Sequence, residues 1–409
     1  MLENINELLE KRNLIELKKY LSNIESEDIA SLLNEVNEID EEKQAIIFRL
    51  LGKDESAEVF AELEPDIQEN LINALSDKEI KEVISDLYLD DTTDLIEEMP
   101  SNVVKRILKN INITDRKLIN ELLNYPEESA GSIMTPEFVD LKENMTIADA
   151  FEKIRKVGVD KETIYTCYVV TLKRKLLGVV NVKDMLFAEE TTSIKDIMNT
   201  NIITVNTLED QEEVAKKFEK YDEIALPVVD KESRLVGIVT IDDAIDVMHE
   251  EAEEDFEIMA AVTPSEETYF KTSIFKHSKN RFLWLLLLMI SSTITGAIIT
   301  KYQTAFAALP ILVSFIPMLM DTGGNCGSQS STLIIRGLAM DEIKMKDFFK
   351  VIWKELRIAL MVGVILALAN GIRISIQYKN IELAITVGLT IILTVIISKI
   401  LRMYTSNNC

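Results

Sequence analysis

Pro317-Met-Leu-Met-Asp321-Thr-Gly323-Gly324-Asn325-Cys-Gly327-Ser-Gln329-Ser-Ser-Thr-Leu-Ile-Ile-Arg336 places three glycines, two amides and a carboxylate inside an apolar stretch. That stretch, Ala305–Leu338, is long enough to span a bilayer. A lipid-facing helix has no use for such chemistry. Polar side chains at membrane depth face a partner helix or an aqueous path. Glycines let helices approach closely, or open the backbone so that carbonyls can meet an ion. The residues alone leave two readings open: a Gly/Ser packing seam and a cation pore. The candidate pore residues are Pro317, Asp321, Gly323, Gly324, Asn325, Gly327 and Gln329.

Three further apolar stretches flank this one: Phe282–Thr300, Leu356–Ile374 and Ile381–Ile400. Each has the length of a membrane helix. Lys271, Lys276, Lys279 and Arg281 precede the first, and Arg336, Lys344, Lys346, Lys350, Lys354 and Arg357 lie between the second and third. The positive-inside rule puts both basic groups, and everything N-terminal to them, in the cytoplasm.

Residues 1–128 are poor in Gly and Pro and rich in Leu, Ile, Glu and Lys, a helical composition. Apolar pairs three apart recur every 12 residues: Phe48/Leu51, Phe60/Leu63, Ile72/Leu75, Ile84/Leu87, Ile96/Met99 and Leu108/Ile111. Equal spacing predicts short helices stacked into a superhelix. From about Ala130 the pattern changes. Ser132-Ile-Met-Thr-Pro136 opens an extended stretch. Tyr165–Val170 and Leu177–Asn181 are β-rich runs around a charged turn, and Ala225–Val229 with Leu235–Thr240 repeat them. The duplication resembles a tandem pair of CBS domains, at residues 129–190 and 191–250. In that family a Ser/Thr and an Asp three residues later hold a nucleotide ribose. Thr240 and Asp243 fit this in the second repeat, and Asn181 with Asp184 fit more loosely in the first. An adenine nucleotide such as ATP is therefore a candidate ligand.

Nine acids lie between Asp242 and Glu257 with no Lys or Arg among them. Asp243, Asp246 and Glu250 share one helix face, and Glu251, Glu254 and Asp255 continue around it. Like charges at this spacing repel. A solvated acidic linker is one reading, and neutralisation by divalent cations is the other. Hard oxygen ligands suit Mg²⁺, which keeps several waters and needs few carboxylates. Asp90, Asp91 and Asp94 form a second acidic group, and Asp210, Glu212 and Asp222 a third.

The net charge of −25 argues against nucleic acid as a partner. Cys167, Cys326 and Cys409 show no disulfide or metal spacing, and the N-terminus is no signal peptide. There is no nucleophile–base set, P-loop or zinc motif, so an enzyme is not expected.

Pro317, Asp321–Gln329 and Thr332-Leu-Ile-Ile-Arg-Gly337 closely resemble the second transmembrane helix of the MgtE-type magnesium channels. The resemblance covers nearly the whole chain. It implies a multidomain protein: an all-α superhelical N-domain, α/β tandem CBS domains, an acidic connecting "plug" helix at 251–280 running on through Thr263–His277, and an α-helical transmembrane domain at 281–409. It implies a homodimer in the plasma (inner) membrane, with the pore between the two copies of the motif helix. It also implies Mg²⁺ bound among the three acidic groups, drawing the cytosolic parts together and closing the pore. The family has a fifth membrane helix carrying a pore aspartate. Here Leu401–Cys409 does not resemble the family's continuation, so the expectation is a membrane domain cut short after its fourth segment, conducting poorly. Two alternatives stand beside this one: a membrane-anchored CBS sensor without transport, and a transporter of Co²⁺ or Mn²⁺, since oxygen ligands select weakly among divalent ions.

Overall fold

The computed structural model describes residues 2–34, 41–265, 269, 272–339 and 342–406. The chain divides into two units, Met1–Met248 and His249–Cys409.

Among the described residues the first unit opens with ten helices: α1 (Leu2–Glu10), α2 (Leu14–Leu21), α3 (Ser26–Asn34), α4 (Glu41–Leu50), α5 (Lys53–Ala61), α6 (Pro65–Ala74), α7 (Asp77–Ile84), α8 (Leu89–Glu98), α9 (Ser101–Asn110) and α10 (Ile113–Leu122). From α4 onward each begins 12 residues after the last, the period of the apolar pairs. Helices this short are marginal alone and depend on packing. The packing is regular: α2 meets α4, α3 meets α5, α4 meets α6, α5 meets α7, α7 meets α9 and α8 meets α10. Phe48, Phe60, Ile72, Ile84 and Ile96 are all buried in the shared core. Local chemistry fixes the starts. Pro65 occupies the first turn of α6, and Ser76 with Glu79 makes a reciprocal cap on α7.

Two βαββ repeats follow. The first holds β1 (Phe138–Leu141), α11 (Ile147–Val157), β2 (Thr163–Val170), β3 (Leu176–Asn181) and α12 (Val182–Phe187), and α13 (Ile194–Ile197) leads out of it. The second holds β4 (Val205–Asn206), α14 (Gln211–Tyr221), β5 (Ala225–Val229), β6 (Leu235–Thr240) and α15 (Ile241–Met259). Each repeat makes a three-stranded sheet, parallel between its first two strands and antiparallel between the last two. The repeats join back to back. Leu176 N–H donates to Ser233 O and Leu235 N–H to Arg174 O, over an apolar layer that includes Tyr168, Val170, Leu235 and Ile238.

In the second unit the remainder of α15 ends at Met259. Ala261 adopts the left-handed region (φ 56°), Val262 N–H donates to Glu257 O, and Pro264 cannot extend a helix. The expected continuation through Thr263–His277 is therefore corrected: a new helix, α16 (Ile274–Lys301), starts with Ser273 as its cap. Part of the intervening stretch lies outside the described residues. The expected single span Ala305–Leu338 is also broken, into α17 (Gln303–Ala308), a 3₁₀ turn (Pro310–Phe315) and α18 (Ile316–Ala339). Pro310 removes a donor and forces the break. The last two helices are α19 (Phe348–Tyr378) and α20 (Ile381–Ser406).

Among the described residues three helices are long and apolar enough to cross a membrane: Ile274–Lys301, Phe348–Tyr378 and Ile381–Leu401. The motif helix α18 is long enough but too polar to join them. α18, α19 and α20 pack together. Helices α19 and α20 approach closely where a Cβ on Gly363 would lie 3.2 Å from Ile392 Cα.

Candidate functional site

The first unit gathers carboxylates from distant parts of the chain. Asp90, Asp91 and Asp94 sit on α8, and Asp242, Asp243 and Asp246 on the first turns of α15. Glu137 and Glu162 flank the first sheet, with Leu89 N–H donating to Glu137 Oε2 at 2.9 Å. Burial raises Asp90 to about 7, with the charge on Asp91 adding to it. Asp91 is raised to about 7 by burial and by Asp243. Asp94 keeps an exposed surface but is raised to about 8 by desolvation of its carboxyl among neighbouring groups and by the charges of Asp90 and Asp91. Asp243 is raised to about 7 by burial and by Asp90, against hydrogen bonds from Thr240. Glu162 is raised to about 9 by burial, then by Asp90, Asp242 and Asp243. Glu62 is pushed up by burial and by Asp246. The neighbours acting on these acids are mostly other acids. Asp90 Oδ1 and Glu162 Oε2 are buried without a hydrogen-bond partner.

Such a surface prefers protons or cations to bare charge. Among the described residues no three His, Cys, Asp or Glu side chains converge into a ready-made coordination shell. The donor set nevertheless fits Mg²⁺, which binds through one or two carboxylates and keeps most of its water. Fitting donors here are Asp90, Asp91, Asp94, Asp243 and Glu162, the first and last offering the unpartnered oxygens.

The other expected residues have local duties. Asp210 caps α14 by accepting from Glu212 N–H at 3.0 Å. Glu212 pairs with Lys216 at 2.8 Å. Asp222 ends α14 in the left-handed region (φ 54°). Glu250, Glu251, Glu254 and Asp255 lie on the later turns of α15, in the second unit. Thr240 Oγ1 donates to Asp243 Oδ2 at 2.5 Å, so the nucleotide candidate Asp243 is also a member of the acidic group. Asp184 is exposed on α12. Glu62, Glu137 and Glu162 leave no mark in the sequence because only packing brings them beside the acids of α8 and α15.

A pH dependence follows from the raised carboxyls. In the unfolded chain they ionise near 3.8 (Asp) and 4.5 (Glu), and in the folded unit only near 7 to 9. Between these values the folded state holds more protons than the unfolded one. Stability is therefore full below about pH 4 as far as these groups go, and falls as pH rises toward about 9. In a fragment spanning residues 1–265, Tm in chelator should drop steadily from pH 5 to 9, and Mg²⁺ should flatten the slope by holding the carboxylates ionised. A Tm that rises with pH in chelator would contradict the assignment.

In the second unit α18 has two different sides. Gly323, Cys326, Gly327, Ser330 and Ile334 are buried. Pro317, Asp321, Gly324, Asn325, Ser328 and Gln329 are exposed, spaced three to four apart along one face. Asn325 Nδ2 donates to Asp321 Oδ1 at 3.1 Å on this face. A Cβ on Gly323 would meet Thr394 Cγ2 at 2.9 Å, whereas one on Gly324 would meet nothing within 4 Å. The two adjacent glycines thus have different reasons to be small. Gly323 lets α20 approach; Gly324 keeps the polar face clear.

Three family descriptions match the chain: the MgtE intracellular N domain over residues 24–128, the CBS domain over 130–190 and 194–250, and a divalent cation transporter over 316–406. The chain is 35% identical over 367 residues to the magnesium transporter MgtE of Thermus thermophilus, covering 89% of this chain and 81% of that one. It is 35% identical over 284 residues to the Bacillus subtilis magnesium transporter MgtE, of which it spans 62%, less than two thirds. Among solved structures, the cytosolic domain of the Mg²⁺ channel MgtE in complex with ATP superposes with a TM-score of 0.57 at 35% identity, covering 60% of this chain and 100% of that one. The soluble part of a magnesium transporter gives 0.56 at 29%, covering 61% and 98%.

Proposed function

Because the chain belongs to the MgtE family of magnesium transporters, a family of membrane proteins, we propose that it passes Mg²⁺ along the open polar face of α18 and that cytosolic Mg²⁺ closes the path. The observation that carries the gating half is the crowd of acids on α8, α15 and Glu162, raised to between about 7 and about 9 by desolvation and mutual repulsion. Mg²⁺ there would neutralise the repulsion and favour the assembled first unit. Loss of Mg²⁺ would loosen it. A ligand shifts such an equilibrium only by its differential affinity for the two states. Several weakly bound ions acting together supply that difference, and α15 is the chain's own connection between the two units.

For conduction, the exposed amides and Asp321 offer oxygens to a hydrated ion, and a second copy of α18 would complete the path in a homodimer. Mg²⁺ dehydrates reluctantly, so a path that meets it with its waters on needs polar walls more than a tight cage. Thr240 and Asp243 are the residues to hold a nucleotide ribose, as the similarity to an ATP-bound relative supports.

The test is Mg²⁺ uptake into vesicles containing the full chain. Uptake should exceed that of empty vesicles and should fall when Mg²⁺ is raised on the side bearing the N-terminal unit. Uptake equal to empty vesicles, with Mg²⁺ still binding the first unit, would favour a membrane-anchored sensor. Equal uptake of Co²⁺ or Mn²⁺ would broaden the substrate.

A further inference from the structure

Behind the open face of α18 lies a second polar group. Ser330, Glu355 and Lys399 are 1%, 8% and 6% exposed. They come one each from α18, α19 and α20. Ser330 Oγ donates to Glu355 Oε2 at 2.7 Å, and Lys399 Nζ donates to the same oxygen at 2.8 Å. Charges inside a membrane bundle are costly, and a lone one costs far more than a pair. Packing α19 against α20 does not require them. Gly363 already sits against Ile392, and a Cβ on Gly388 would be 3.5 Å from Ala367 Cβ. Both contacts fall on the same oxygen of Glu355, Oε2, so the ammonium and the hydroxyl share one acceptor.

What the pair adds is a hold on α18. Ser330 lies about 140° around the helix from Asn325, at about 100° per residue. Seven residues before it, Gly323 O accepts from Ser398 Oγ of α20. Two attachments, about two turns apart, fix both the height and the rotation of the motif helix. Between these attachments the buried side of α18 carries only small groups, Cys326 and Gly327. A face of small groups sets rotation poorly, because it offers few interlocking shapes.

We propose that Glu355 and Lys399 are positioning residues that, through Ser330, lock the rotation of α18 so that Asp321, Gly324, Asn325 and Gln329 stay on its open face. The inference rests on the transport reading only for what that face does, and its first readout does not depend on flux. Cys326 lies one turn before Ser330 on the buried side and is 8% exposed, so its thiol reports rotation directly.

The experiment measures alkylation of Cys326 by N-ethylmaleimide in the full-length protein in detergent, read by peptide mass spectrometry. Glu355→Gln and Lys399→Met should each speed labelling about tenfold, as expected for a broken buried pair. Ser330→Ala, which leaves the pair intact, should speed it about threefold, the size of one lost hydrogen bond. Exchanging the charges, Glu355→Lys with Lys399→Glu, should bring labelling back to within about twofold of wild type. In vesicles the single variants should lower maximal Mg²⁺ flux while leaving half-saturating Mg²⁺ unchanged, and the exchange should recover it. Unchanged labelling in the single variants, or an exchange no better than either, would overturn the proposal. If the single variants do not fold, Ser330→Ala and the exchange decide, because neither buries a lone charge: wild-type labelling in Ser330→Ala overturns it. Absence of flux in the wild type, with Cys326 protection still following the pair, would count against the transport reading and for this one.

Discussion

Millimolar Mg²⁺ should slow proteolysis of a fragment spanning residues 1–265 by at least about tenfold, and Asp91→Asn, Asp94→Asn, Asp243→Asn and Glu162→Gln combined should abolish that response. A ligand bound only to the assembled state stabilises it by about 2.7 kcal/mol at a hundredfold excess over Kd. A factor of ten in the exposed population requires only about half of that. The four groups are chosen because desolvation and other acids raise each of them, to between about 7 and about 9. The amides keep their shape and remove the charge. The variant should therefore start where Mg²⁺ takes the wild type: slow cleavage in chelator, and no further slowing on adding the ion. Resistance without Mg²⁺ separates this account from a variant that has merely lost its fold. A variant that keeps the full wild-type response would remove these carboxylates from the sensing site.

What the sequence reveals of this fold is the physics that acts locally along the chain. The period of 12 between apolar pairs anticipates helix starts at Lys53, Pro65, Asp77, Leu89, Ser101 and Ile113, because each pair packs on the core at the end of one short helix, its first member in the last turn and its second just past it, two residues before the next helix begins. The hairpins β2–β3 and β5–β6 are legible for a similar reason. Their β-branched runs flank charged turns, and antiparallel pairing is a short-range event. Strand β4 (Val205–Asn206) leaves no such trace. It is two residues long, and its partner β5 lies across a helix. The break at Pro310 leaves no mark in hydropathy. Proline there ends a helix whatever the composition around it.

The acidic groups divide in the same way. Asp90, Asp91 and Asp94 stand out because they share one turn and a half of helix. Glu62, Glu137 and Glu162 do not, since only tertiary packing brings them to that place. Asp210, Glu212 and Asp222 had the same outward appearance as the α8 group. They turn out to cap α14, pair with Lys216 and terminate the helix. A carboxylate that completes a hydrogen bond at a helix end has a sufficient reason to be there. What sets Asp90, Asp91 and Asp243 apart is burial beside like charge, and no window of sequence reports burial. The pair Glu355–Lys399 leaves no sequence signal for a related reason: Lys399 lies near the end of an apolar run, where a lysine usually reaches for the interface.

Gly324→Leu should leave the protein folded and inserted while lowering Mg²⁺ flux by at least about tenfold. A Cβ at this position meets nothing within 4 Å inside the chain, and Gly324 lies in the body of α18. Leucine there should not destabilise the unit, because it is the better helix former by roughly 1 kcal/mol. Gly323→Leu is the contrasting case. Its Cβ would lie 2.9 Å from Thr394 Cγ2, beside the carbonyl that accepts from Ser398, so that variant should lose stability as well as flux. Two neighbouring substitutions of the same size thus separate bulk on the open face from bulk in the packed one. The readouts are Tm in detergent, and uptake into vesicles at equal protein content. Steric bulk on the open face acts only if ions, or the second copy that completes the path, come within a side chain's length of Gly324. A folded Gly324→Leu protein carrying more than half the wild-type flux would place the path elsewhere, and the polar face of α18 would then be a packing seam of the kind the glycine pattern also allows.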